Sequence, residues 1–202
     1  MSGIHSNLAM TSLSEVDFHA VEEKLTPARV RVFQFVQVAL GGGIMMFLVI
    51  ILFFYGMGSE MVEHQTGGAD TMASMTIATG ILSLIGLILA EIIYRASFSE
   101  KRLRRYAAAP LRDRGRVVND PAEKIITIVQ KAGILRATIF NAAAFFGLTI
   151  CIIGMTGGIL FLRPDYFVNA IPAFLQLLLL AITFPTRDRV LRIIREKIIM
   201  AR

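Results

Sequence analysis

The sequence predicts an all-α integral membrane protein, a four-helix transmembrane bundle of two hairpins with short amphipathic cytoplasmic helices. Three observations lead there. Residues 32–59, 71–90, 137–162 and 166–186 form four uncharged apolar runs, each long enough to cross a hydrocarbon core of roughly 30 Å, which takes about 20 helical residues. Charged residues make up only 18% of a chain that is 55% hydrophobic, and they gather between the runs instead of alternating along them as they would in a soluble domain. Stretches such as residues 44–55 are apolar on every face, which excludes the alternating pattern of a transmembrane strand and leaves the helix as the structure that satisfies its own backbone in lipid.

Residues 1–31 form an N-terminal cytoplasmic segment. No basic leader precedes an apolar stretch there, and Glu15, Asp17, Glu22 and Glu23 interrupt it, so the expectation is a retained segment and not a cleaved signal. Ser12 and Glu15 have the spacing of a capping box, and Leu13, Val16, Ala20 and Leu25 recur at helical intervals, which predicts a short amphipathic helix. That helix lies either on the membrane surface or a partner, or against the chain's own cytoplasmic loop. Its acidic character disfavours anionic lipid. Thr26 and Pro27 read as the N-cap and first residue of the next helix.

The two hairpins occupy residues 32–94 and 137–186, joined by a basic connector at 95–136 and followed by a basic tail at 187–202. The distribution of lysine and arginine orients them. The connector carries eleven basic residues, including Arg95, Lys101, Arg102, Arg104, Arg105 and Arg136; the N-terminal segment carries Lys24, Arg29 and Arg31; the tail carries six more. The first short loop, residues 60–70, has Glu60, Glu63, His64 and Asp70 and no basic residue. Of 21 basic residues only Arg163 falls on the outer side. Both termini are therefore expected in the cytoplasm, with the protein in the cell (inner) membrane. The nearly equal offsets of Phe35, Gln37 and Gly42 after Arg31, and of Phe140, Asn141 and Gly147 after Arg136, raise an internal duplication without establishing one.

Within the connector, residues 97–109 read as a basic extension of the second helix and residues 110–119 as a turn. Asp120, Pro121 and Glu123 then form a helix start. Ala122, Ile125, Ile126 and Val129 make an apolar stripe opposite Glu123, Lys124, Thr127 and Lys131. This segment can attract anionic lipid headgroups at roughly 1 kcal/mol per basic residue near the surface. Its charge is equally that of an ordinary inner loop. Nucleic acid is not an expected partner, since no recognition motif accompanies the charge.

Lipid removes the hydrophobic drive between spans, so association rests on small residues. The expected helix-packing positions are Gly42, Gly43, Gly86, Gly147, Gly154 and Gly158, within the pairs Ala39/Gly43, Gly86/Ala90, Ala143/Gly147 and Gly154/Gly158 and the run Gly41-Gly42-Gly43. Pro172 predicts a kink in the fourth span.

The candidate intramembrane polar residues are Glu91 and Arg95, which follow the second apolar run, and Gln37 and Asn141, within the first and third. An ionisable residue attached to a span is a functional hypothesis by default. Glu91 lies about 12 Å from the middle of its span at 1.5 Å per residue, near the inner boundary, and Arg95 follows it in the favourable acid-before-base order. A boundary ion pair is the expected role, against a proton-binding carboxylate. Gln34, Gln37, Asn141 and Gln176 are suited to hydrogen bonds between helices, each worth roughly 0.6 kcal/mol. No residues at metal-ligand spacing, no nucleophile with its base and no phosphate loop stand out, so neither an enzyme nor a cofactor is expected. Cys151 stands alone in the third run, as a small buried hydrophobe.

Residues 136–147, with the pattern R-x4-N-x5-G, and residues 184–189, F-P-T-R-D-R, resemble the third and fourth helices of small uncharacterised bacterial four-span membrane proteins that end a helix on Pro-Thr-Arg/Lys. The resemblance covers about a quarter of the chain and implies no activity. In those relatives an acid commonly stands where Asn141 stands here. The expected function is a non-enzymatic subunit or scaffold of a membrane assembly, with the lipid bilayer and a membrane-protein partner or a second copy as its contacts. The alternative is a small transporter or channel-forming oligomer working through Glu91 and the Gly41–Gly43 region.

Overall fold

The computed structural model describes residues 13, 16–58, 69–113 and 115–199. Four helices in it are long and apolar enough to cross a membrane: Pro27–Met57, Asp70–Ser97, Pro121–Thr156 and Pro164–Ile182. The protein is a multi-pass, predominantly helical chain. The elements in order are α1 (Phe18–Lys24), α2 (Pro27–Met57), α3 (Ala69–Ser97), α4 (Glu100–Ala108), β1 (Leu111–Asp113), β2 (Arg116–Val118), α5 (Pro121–Thr156), α6 (Ile159–Leu162), a 3-10 segment (Pro164–Ala170), α7 (Ile171–Ile182), α8 (Arg187–Ile194) and a π-helical turn (Arg195–Ile199). They fall into two compact units, one from the ranges 1–32, 94–133 and 185–202, the other from 33–93 and 134–184.

The second unit holds the apolar runs. Half of the most apolar stretch of α5 is buried, against 17% in α2 and 11% in α3, which makes α5 the hub. One of its faces presents Ala144, Leu148 and Cys151 to Ile44, Leu48 and Ile51 of α2 and to Ala170 and Ala173. Another packs Ile150 and Met155 against Met72 of α3, Leu160 and Tyr166. The rings of Phe47 and Phe145 meet edge to face at 5.2 Å, and Tyr55 stacks on Phe161 at 5.1 Å.

The first unit is built around Val21, Leu25, Leu103, Ile125, Ile126, Val129, Ile194 and Ile198, all nearly fully buried. Its local starts are well capped. The Glu123 backbone N–H donates to Asp120 Oδ1 at 3.1 Å, and α5 begins on Pro121 as its sequence predicts. Burial pushes the Asp120 carboxyl up, but hydrogen bonds from the Glu123 and Ala122 backbone and the nearby Lys24 ammonium outweigh it and hold the group below the usual aspartate value.

Three local readings of the sequence differ from the structure, and a fourth, the Ser12/Glu15 capping box, is not reached by it. The N-terminal helix is described from Phe18. Its N-cap is Asp17, whose side chain accepts from His19 N–H, and Ser12 and Glu15 lie outside the described residues, as do Glu60, Glu63 and His64. Residues 97–109 do not extend the second helix without interruption, because α3 ends at Ser97 and α4 restarts after Ser99, which has extended backbone. The stretch after Pro110 is a two-stranded antiparallel hairpin with Gly115 at φ 78°, a left-handed position that glycine occupies without a Cβ clash. Pro172 falls inside the fourth span, Pro164–Ile182, at a change of helix type and not within one continuous α-helix. It lies in the first turn of α7, where the 3-10 segment gives way to α-helix and its missing N–H costs nothing.

The question left open for the N-terminal helix is also answered. Lys24 Nζ lies 3.2 Å from Asp120, Arg187 pairs with Glu22 at 3.7 Å, and the Arg195 guanidinium sits 4.6 Å above the Phe18 ring. α1 packs on the chain's own elements.

Candidate functional site

The antiparallel seam between α3 and α5 carries the polar residues expected at the inner boundary. Going down α3, Met72 faces Gly154, Thr79 faces Gly147 and Gly86 faces Ala143. Continued one further turn, that register brings Arg136 to Glu91, and Nη2 and Oε2 are 3.1 Å apart with each side chain about one-third exposed. The structure thus adds an interhelical partner to the local one expected in Arg95. A pair this accessible contributes no more than about 1 kcal/mol, but it fixes register because the two groups come from different helices.

The same seam contains a stripe the sequence reading passed over. Thr76, Thr79 and Ser83, followed by Gly86 and Ala90, recur at three- and four-residue intervals on one face of α3. Thr76 and Thr79 donate to the carbonyls of Met72 and Met75 at 2.8 and 2.9 Å, a local bond that consumes the hydroxyl proton. Thr76 Oγ1 in turn accepts from Asn169 Nδ2 at 2.9 Å, and the same amide donates to Tyr166 O at 2.9 Å. Asn169, 1% exposed, thereby ties the 3-10 segment to α3. The signal was legible in principle, as small hydroxylated residues at helical spacing in an otherwise aliphatic run.

Gln37 and Asn141 sit on the other face of the hub. Gln37 shares the α2 stripe of Ile44, Leu48 and Ile51, and Asn141 shares the α5 stripe of Ala144, Leu148 and Cys151. Both residues are buried, and Gln37 Oε1 and Asn141 Oδ1 have no hydrogen-bond partner among the described residues. Gln176 is buried as well and donates from Nε2 to Ala137 O at 3.1 Å, the interhelical bond expected of an amide in a span.

The glycines divide by what a side chain would meet. At Gly147 a Cβ would overlap the carbonyl oxygen of Asn169; at Gly154 it would come 2.6 Å from Met72 Cε; at Gly43 it would come 3.3 Å from Phe145 Cζ; at Gly86 it would lie 3.7 Å from Ala143 Cβ. Gly42 faces open space, with no other element of the described residues within 4 Å of its Cβ position. A 100° step around the helix separates it from Gly43. Gly158 follows the end of α5 with φ 74°, a left-handed position that glycine favours at the turn into α6.

Lys124 departs furthest from its expected place on an exposed polar face. It is 5% exposed, and its Nζ donates to the carbonyl oxygens of Tyr106, Ala107 and Ala109 at 3.0, 3.2 and 2.9 Å. These are orphan acceptors at the C-terminal end of α4, where the helix dipole is negative. One ammonium with three protons satisfies three carbonyls. Thr127 is buried too, so the first turns of α5 are enclosed nearly all round.

No group of three His, Cys, Asp or Glu side chains that would hold a metal ion occurs among the described residues, and Cys151 is a buried free thiol. The arrangement of these residues is one of packing, register and charge. Comparison with known proteins finds no matching protein family, no matching curated protein and no matching solved structure.

Proposed function

We propose that this chain is a non-enzymatic multi-pass membrane protein that serves as a subunit or scaffold of a membrane assembly, in the cell membrane with both termini cytoplasmic. The supporting observation is how little of α2 and α3 the chain covers by itself. Phe35 is 74% exposed, Ile77 65% and Phe53 60%, and two of four spans turn most of their circumference outward. Lipid can cover such a surface, but Gly42 and Gly80 ask for more. Both are exposed, as is Gly56 near the end of α2, and among the described residues no other element comes within 4 Å of their Cβ positions. Glycine costs a helix about 1 kcal/mol relative to alanine, and no contact within the chain requires these two. A close-approaching helix from another polypeptide does. The transporter reading has less support, because Glu91 is engaged by Arg136.

The test is the mass of the particle extracted in native-lipid discs. More than one polypeptide per particle is expected, with Gly42→Leu reducing it to a single chain of unchanged thermal stability. A single chain per particle in the unaltered protein would remove the support for this reading.

A further inference from the structure

A cavity of about 170 Å³ in the first unit is walled by the start of α2, the β-hairpin and the first turns of α5. Its lining carries two arginines and two carboxylates, and the ion pairs leave one cation over because Asp113 is paired by Lys131 from outside the lining. Glu123 is neutralised by Arg29 at 2.6 Å, and Asp113 by Lys131 at 3.4 Å. Arg116 also lines the cavity and has no ion-pair partner among the described residues. The hairpin register aims it there. Asp113 and Arg116 are directly opposed across the strands, as are Leu111 and Val118, and opposed residues share a face of the ladder, so Arg116, Asp113 and Val118 point together into the cavity while Arg112 and Val117 point away. Thr127 and Gln130 complete the wall. They add a hydroxyl and an amide, whose Nε2 is already directed at Arg29 O.

A guanidinium left over from the ion pairs, lining the same space as a second arginine and a hydroxyl, in a volume larger than a phosphate group, suits a phosphate ester. Arginine grips phosphate through two parallel N–H donors. The depth of the cavity fits a lipid source. Arg29 comes three residues before the first apolar run, about 4.5 Å along the helix, and Val32, the first residue of that run, is itself part of the wall and partly exposed. A ligand held there has its charged end among the arginines and an apolar surface adjoining it.

We propose that this cavity binds the phosphate of an anionic phospholipid headgroup, with Arg116 as the residue that grips it. The proposal rests on α2 being a membrane span and is independent of the scaffold reading. It is also distinct from attraction to the exposed basic face of α4, where Lys101, Arg102 and Arg105 project into solvent.

The experiment uses the full chain purified in detergent and compares retention of phosphatidylglycerol against phosphatidylcholine by native mass spectrometry. The unaltered protein, Arg116→Gln, Arg116→Lys and a Lys101→Gln/Arg102→Gln/Arg105→Gln variant are measured, with inorganic phosphate as a separate competitor. We expect selective retention of phosphatidylglycerol, weakened about fivefold by Arg116→Gln, which corresponds to roughly 1 kcal/mol for one basic residue near a lipid surface. Arg116→Lys keeps the charge without the fork and is expected to fall between the two, and the α4 variant to bind as the unaltered protein does. Undiminished retention by a folded Arg116→Gln, or loss in the α4 variant alone, would overturn the proposal. Binding of inorganic phosphate without lipid selectivity would assign the cavity to a soluble phosphate and overturn the lipid source.

Discussion

Arg136 of α5 and Glu91 of α3 close an ion pair of 3.1 Å between antiparallel helices, at the end of a seam whose other steps are Met72 on Gly154, Thr79 on Gly147 and Gly86 on Ala143. The charge pair therefore continues a register that small residues already set. A carboxylate held this way has a structural reason to exist that does not depend on taking up a proton or a cation.

If Glu91 is structural, Glu91→Gln keeps the shape, loses the charge and costs less than about 1 kcal/mol, as expected for an accessible pair. Complementation of a deletion strain by the Gln variant is expected to be nearly complete. Complete loss of function at normal protein abundance would instead make Glu91 a titrating group and move the transporter reading to first place.

Substitutions at the glycines should rank by the rigidity of what they meet. Gly147→Ala drives a methyl into the Asn169 backbone, which cannot rotate away, and the loss is expected in the range of about 1–3 kcal/mol for overpacking. Gly154→Ala meets the flexible end of Met72 and should cost less. Gly42→Leu should leave the thermal stability of the isolated chain unchanged. Thermal unfolding in detergent gives the order, and equal stability of Gly147→Ala and Gly42→Leu would defeat it.

Much of this fold was legible because its strongest signals are local. An apolar run with no polar face needs no tertiary information to be read as a span, and Asp120, Pro121 and Glu123 cap a helix through groups within three residues of one another. Where the reading ran out, the missing information lay on another element. Gly42 and Gly43 are equivalent in sequence, and only the rotation of α2 against Phe145 distinguishes them. Lys124 sits in a plausible polar stripe, but its acceptors belong to α4, some fifteen to eighteen residues earlier. Arg136 reaches Glu91 from 45 positions away, whereas the i+4 neighbour Arg95 was visible at once.

The Lys124 ammonium should be worth more than a surface charge. Lys124→Met keeps most of the buried stem but leaves the Tyr106, Ala107 and Ala109 carbonyls without their donor. Hydrogen bonds to charged groups contribute about 1.5–3 kcal/mol, and a loss of that order is expected, with faster backbone amide exchange confined to α4. Unchanged exchange in α4 would show that other contacts hold the end of that helix.

Acid should weaken the first unit through Asp120. Its carboxyl is held below the ordinary value of 3.8, so the folded chain binds that proton less readily than the unfolded one. The associated stability is fully present above the unfolded value and is lost as pH falls through the lower folded value. Asp120→Asn should flatten this part of the profile while leaving stability at neutral pH only modestly reduced, since the side chain is 39% exposed and solvent screens its pair with Lys24. An acid limb identical in both proteins would assign it to other carboxylates.

Orientation can be tested at two described positions on opposite sides of the expected membrane. Arg163 lies in the connection between the third and fourth spans and Ala108 at the end of α4, and both are exposed. The asymmetry of lysine and arginine predicts Arg163 outside and Ala108 in the cytoplasm. With Cys151→Ala as background, Arg163→Cys should react with an impermeant thiol reagent in intact cells, and Ala108→Cys only after the membrane is opened. The reverse pattern would invert the topology and, with it, the lipid leaflet that faces Arg116. Labelling of both positions in intact cells would mean that the segment between them does not cross the membrane an odd number of times, contrary to the single crossing assigned to α5.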